Sequence, residues 1–230
     1  MKGKINHFWL YEIGMWMIIL LIPMVILLTT MQMFTFNKNF YLNEFKKYDI
    51  SSITGMEMND LERVTVKLID YLKDKEKDLD MQAQIKGENQ EVFGEREKRH
   101  MVDVKMLFQA GSWLRNTGAV LVIISLLIIR QYSNQFLKDI LRIMLRSGVL
   151  SISIMMILFI LVQTDFYQYF TYFHEIFFDN DLWLLDPNTE VLIQMLPLEF
   201  FIDISIRIFG WFSGIMLLIT MISYSAVKKA

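Results

Sequence analysis

Four stretches of the chain, residues 13–37, 116–129, 147–164 and 208–227, contain no Asp, Glu, Lys or Arg. About 20 helical residues, each rising roughly 1.5 Å, cross a hydrocarbon core about 30 Å thick. The pattern therefore predicts four membrane helices at about 13–36, 108–130, 147–164 and 206–227. The second is strongly apolar only from Thr117 to Ile129. Carrying it back through Trp113 to Phe108 gives full length, with Arg115 reaching for the interface. The first run follows Lys2 and Lys4 as a signal peptide would, but no small-x-small cleavage site comes after it, so it reads as a retained helix. Pro23 lies inside it, a position where membrane helices accept a kink.

The polar intervals are patterned too. In 38–107, Asn59 is expected to cap a helix over about 60–75 in which Leu61, Val64, Leu68, Tyr71 and Leu72 form an apolar stripe. Arg63, Lys67, Lys73 and Glu76 fall on its solvated face. Met81 to Ile85 alternates apolar and polar residues, Lys86 to Asn89 supplies turn chemistry, and Gln90 to Phe93 can return, which predicts a short hairpin. From Glu95 onward Met101, Val104, Leu107 and Phe108 recur helically and nothing interrupts them before the second span, so one long helix is expected to project beyond the bilayer. Residues 133–146 place Phe136, Leu137, Ile140, Leu141, Met144 and Leu145 opposite Lys138, Arg142 and Arg146. That is the pattern of an interfacial amphipathic helix that anchors the chain. The fold class is thus an all-α integral membrane protein, 1–230 forming a single membrane domain whose four transmembrane helices carry a small cap, mainly helical with one short hairpin.

Charge orients this plan, because short cytoplasmic segments are rich in Lys and Arg. Lys2, Lys4, Arg130, Lys138, Arg142, Arg146, Lys228 and Lys229 flank one side of the four spans. From Ser147 to Ile206 there is neither Lys nor Arg, while eight acidic residues occur there. Both termini are therefore expected in the cytoplasm, with 38–107 and 165–205 outside. The second outer segment opens with Phe166, Tyr167, Tyr169, Phe170, Tyr172 and Phe173, an aromatic density suited to the headgroup level, so membrane lipids are expected partners. Of the residues, 54% are hydrophobic, more than a soluble core of this length uses. The net charge of −2 gives no footprint for nucleic acid, and the absence of cysteine excludes disulfides, thiolate zinc sites and cysteine acyl-enzymes.

The remaining chemistry centres on histidine. His7, beside Phe8 and Trp9, reads as an interfacial residue. His100 and His174 lie in the two different outer segments, each near a membrane helix, where they can meet. Glu97 and Asp103 stand one helical turn before and after His100 and can orient an imidazole nitrogen, although an ordinary surface helix carries the same pattern. No HExxH, no histidine pair at i, i+4 and no cysteine supports a metal, so no metal or cofactor is expected. Ser51, Ser52 and Ser112 lack a nucleophile elbow.

The block from Phe93 to Lys105, with Glu97, His100, Met101, Asp103, Val104 and Lys105, resembles the "E..HM.DVK" block of the Lit-type lipoprotein intramolecular transacylases, four-helix membrane proteins of low-GC Gram-positive bacteria. His174 to Trp183, Asp186-Pro187, Leu192-Ile193 and Pro197 to Phe201 are similar to that family's second outer loop. The resemblance implies transfer of the sn-2 acyl chain of a diacylglyceryl-modified lipoprotein onto the α-amino group of its own N-terminal cysteine, giving the lyso form, with such lipoproteins as partners. It implies His100 and His174 as the acid and base, which is which left open. Asp103 or Asp186 would orient an imidazole, and Lys105 or Trp183 would assist the oxyanion. Nucleophile and ester sit in one molecule, so catalysis needs orientation and proton management rather than a protein nucleophile. The rival readings are another membrane lipid acyltransferase, which would need donor lipid, and a non-catalytic scaffold or sensor using the cap. A transporter is disfavoured because the spans lack internal ionisable residues and paired broken helices.

Overall fold

The structure, a computed structural model, describes residues 2–229, with side chains from Phe8 onward. The interfacial contact expected of His7 lies outside those side chains. In chain order the elements are α1 (Lys2–Thr35), α2 (Lys38–Lys47), α3 (Ile50–Thr54), α4 (Met58–Leu72), β1 (Gln82–Ile85), β2 (Glu88–Glu91), α5 (Glu95–Tyr132), α6 (Phe136–Thr164), α7 (Phe166–Phe177), α8 (Val191–Met195) and α9 (Leu198–Lys229). Of these, α1, α5, α6 and α9 are long and apolar enough to cross a membrane. The chain divides into two compact units, one of Met1–Met31, Ser112–Thr164 and Arg207–Ala230, the other of Gln32–Gly111 and Asp165–Ile206.

In the first unit Met15, Ile18 and Ile19 of α1 pack with Ile129 of α5 and Ile143 of α6, with Tyr11, Ile22 and Phe136 against them. Ser147 donates to the Ile19 carbonyl at 2.9 Å, joining α6 to α1. The most apolar windows of the four helices are at most 28% buried, so most of their apolar surface faces outward, which only lipid accommodates. α1 runs through Pro23 without a break. The expected amphipathic helix starts at Phe136 rather than 133 and runs on into the span over 147–164 as one continuous helix, α6, with Ser147 and Gly148 at the junction buried.

The second unit is built on α4, whose Leu61, Val64, Leu68, Tyr71 and Leu72 are buried, as the stripe predicted, with Thr65 and Ile69 buried beside them. Asn59 is not its cap. The chain is still extended at Glu57 (φ −69°, ψ 156°), so the helix starts at Met58 and Asn59 falls in its first turn. α2 packs on α3 and α4, and α3 on α8. The hairpin forms with Gln82 opposite Glu91 and Ile85 opposite Glu88. Its turn is the two residues Lys86 and Gly87, both at positive φ, tighter than the four residues expected; this geometry matches the twist of the strands. Lys86 donates its N–H to the Gly55 carbonyl at 2.9 Å. Gly55 itself closes α3 at φ 71°, and a Cβ there would meet Lys86 Cγ at 2.5 Å, so both conformation and space demand glycine.

Candidate active site: a histidine pair in the second unit

α5 begins where Gly94 ends the hairpin return, and its start is held by Glu97. This carboxylate is 2% exposed and accepts from the Gly94 N–H and the Leu192 N–H, each at 2.6 Å. The first bond is half of a capping box, in which a side chain in the first turn reaches back to the residue before the helix. The second ties α5 to the start of α8. Burial, and more weakly the Glu190 carboxylate, push the Glu97 pKa up, against the backbone N–H groups of Leu192, Gly94 and Val191. Glu97 thus fixes backbone rather than orienting an imidazole. Arg96 adds a bond to the Asp181 carbonyl at 2.6 Å, so the first turn of α5 is fastened to the 165–206 segment at two points.

One turn further along α5, His100 is buried beside His174, their ring centroids 6.1 Å apart and the planes 33° from parallel. No hydrogen bond joins them. His174 Nδ1 lies 2.7 Å from the Phe170 carbonyl, four residues back on α7. A carbonyl only accepts, so Nδ1 carries the proton and Nε2 presents a lone pair. The ring is gripped by Trp183, stacked at 4.8 Å and 29°, and by Phe170 and Phe178 at 4.4 and 5.6 Å. Phe178 also meets the edge of His100 at 5.3 Å. His100 Nδ1 is fully buried and has no hydrogen-bond partner among the described residues. Burial lowers the pKa of both imidazoles, that of His100 to about 4 with further lowering by His174 and an opposing pull from Asp103. Both rings are therefore neutral near pH 7.

The other sequence candidates divide. Trp183 joins the pair, and its indole N–H is without a hydrogen-bond partner among the described residues. Asp103 accepts from the Asn180 amide at 2.9 Å and bears on His100 through its charge alone. Lys105 is engaged elsewhere, 2.7 Å from Asp74, donating to the Glu76 carbonyl and lying over the Tyr71 ring. Asp186 accepts from the N–H and amide of Asn188 at 2.9 Å, a local turn, and backbone and side chain of Asn188 hold its pKa low. Sequence reasoning did not single out the Phe170 carbonyl or Phe178. The signal for the first was a helical i−4 relation to His174, hidden because α7 reads as an aromatic run. Among the described residues no cluster of His, Asp and Glu is arranged to hold a metal.

Known proteins resemble the chain in sequence and in fold. Residues 16–201 match the family model described as "Lipoprotein intramolecular transacylase Lit". The chain belongs to the Lit family. It is accordingly a multi-pass membrane acyltransferase whose substrates are lipoproteins. The structure of Lit from Bacillus cereus, solved in meso, superposes with a TM-score of 0.80 at 21% identity, covering 95% of this chain and 96% of that one. A variant of the same protein with a histidine replaced by arginine gives 0.76 at 20% identity, covering 99% and 97%. At these identities the likeness is one of fold. No curated protein matches.

Proposed function

We propose that this Lit family member moves the sn-2 acyl chain of a diacylglyceryl-modified lipoprotein to the α-amino group of that lipoprotein's N-terminal cysteine. His174 is the base. The observation that carries this reading is the Nδ1 contact with the Phe170 carbonyl, which leaves the Nε2 lone pair available on a ring whose centroid is 6.1 Å from that of His100. An α-ammonium with a pKa of about 7.7–8.0 must lose a proton to become a nucleophile. That first proton goes to water; His174 Nε2 then takes a second proton from the amine as its nitrogen attacks the ester carbonyl, and the imidazolium returns this second proton to the glycerol oxygen as the C–O bond breaks. One amide forms, one ester is lost, and the second proton ends on the glycerol hydroxyl. His100, neutral, offers an N–H to the developing oxyanion, and the unbonded Trp183 indole supplies a second donor. No enzyme nucleophile is required, and holding amine and ester together is worth roughly 7–11 kcal/mol when the geometry is right. The charge pattern supports a cap facing outward with both termini in the cytoplasm.

The test is tandem mass spectrometry of a lipoprotein's N-terminal lipopeptide from cells expressing the wild type, His174→Ala or His100→Ala. Total acyl mass is constant, so fragmentation locates the chains. Wild type yields N-acyl, lyso-glyceryl cysteine; His174→Ala leaves the diacylglyceryl form, and His100→Ala, lacking one donor, retains a trace of transfer. Equal conversion by wild type and His174→Ala at equal expression would refute the reading.

A further inference from the structure

α7 carries an apolar stripe that no protein element covers among the described residues. Tyr169, Tyr172, Phe173, Ile176 and Phe177 recur at i, i+3, i+4, i+7 and i+8, the spacing of one helical face. In a packed domain such a face is buried. Here Tyr172, Phe173, Ile176 and Phe177 are exposed, Ile176 by 74%. Exposed Gln168 and Glu175 lie to one side of the stripe, and buried His174 lies on the other. The helix thus has an apolar outer face, a polar edge and an inward edge holding the imidazole.

Two features identify what covers the stripe. α7 starts at Phe166, two residues after α6 ends at Thr164, and Asp165 caps it by accepting from the Gln168 N–H at 3.0 Å. A helix that opens where a membrane-crossing helix closes opens at the level where hydrocarbon gives way to headgroups, and tyrosine with phenylalanine is the composition favoured there. α7 also contains neither Lys nor Arg. Apolar burial, rather than attraction to anionic lipid, is then its mode of membrane contact.

We infer that the α7 stripe is a lipid-binding surface, with Ile176 and Phe177 among the acyl chains and Gln168 and Glu175 in water. Phe173 touches both Phe177, at 4.9 Å, and His174, at 5.5 Å, so lipid against the stripe is one ring away from the imidazole. One consequence rests on the transacylase reading: the ester of a membrane-anchored diacylglyceryl group reaches His174 along the stripe without its chains leaving the leaflet.

The chain has no cysteine, so single-site spin labels report unambiguously. Full-length Tyr172→Cys, Ile176→Cys, Gln168→Cys and Glu175→Cys proteins are labelled and reconstituted in vesicles of phosphatidylcholine, and again in vesicles half phosphatidylglycerol. Accessibility is read with oxygen, which concentrates in lipid, and with a water-soluble nickel chelate. Labels at 172 and 176 should show an oxygen-to-nickel ratio several-fold above those at 168 and 175, unchanged by phosphatidylglycerol. Equal nickel accessibility at all four sites overturns the inference. So does shielding of 172 and 176 from both reagents, which would mean a protein partner such as a second copy. The readout is independent of acyl transfer: lipid-exposed labels on a protein that moves no acyl chain would keep the surface and discard the transacylase reading, whereas transfer with water-exposed labels would do the reverse.

Discussion

A buried imidazole serves as a base only if something fixes which nitrogen holds its proton, and His174 has that through the Phe170 carbonyl. His100 has no such partner for Nδ1 among the described residues, and burial lowers its pKa to about 4. This has a cost in acid. A histidine whose folded pKa lies below its unfolded value of about 6.5 binds a proton on unfolding, so stability falls as pH falls through that window and levels off below the folded pKa. The slope is about 1.4 kcal/mol per pH unit for each such histidine. The thermal midpoint of the wild type should therefore drop between about pH 6.5 and 4.5, and His100→Gln should remove much of that drop. An identical pH profile in the variant would mean that His100 is not held neutral by its surroundings. At this scale the sequence made the two histidines visible as chemistry-bearing residues, and the family resemblance offered Trp183 only as an alternative to Lys105. It left Asp103, Lys105 and Asp186 unresolved, because whether a carboxylate or ammonium is free depends on partners such as Asn180, Asp74 and Asn188, which no local spacing encodes.

The long elements follow from periodicity and from the lack of anything to stop them. α5 runs unbroken from Glu95 to Tyr132, as the uninterrupted helical pattern predicted. α4 and the hairpin were legible for the same reason. α7 was not, because aromatic residues occupy nearly every position of 166–173 and erase the contrast on which periodicity depends. α6 crosses a junction at Arg146-Ser147-Gly148 where composition changes but helical geometry does not. Gly148 there marks a close approach: an added Cβ would lie 1.9 Å from Thr220 Oγ1 and 3.1 Å from its Cβ on α9. Gly148→Ala should lower the thermal midpoint in detergent, by an overpacking cost of about 1–3 kcal/mol. Gly210→Ala and Gly214→Ala, where nothing lies within 4 Å of the new methyl, should leave it unchanged or raised. A Gly148→Ala protein as stable as the wild type would show that α6 and α9 do not approach this closely.

For the whole molecule, apolar runs define a four-helix membrane protein, and the segments 32–111 and 165–206 fold together into a unit that holds the histidine pair. The pairing of His100 with His174, 74 residues apart, was expected from their place beside membrane helices and from the two family-like blocks. The means of pairing was not legible, since it depends on Glu97 and Arg96 bonding backbone groups of the second segment. Membership of the Lit family makes the acyl transfer intramolecular in name; the chemical question is whether donor and acceptor are one molecule for this protein. The most direct measurement uses the purified protein in vesicles of phosphatidylcholine with deuterated chains, given a synthetic diacylglyceryl-cysteinyl peptide whose sn-2 chain carries carbon-13. The product should be the N-acyl lyso-peptide bearing the carbon-13 chain, formed with no deuterated acyl group. A deuterated chain on the amine, or an unchanged peptide beside active controls, would contradict it.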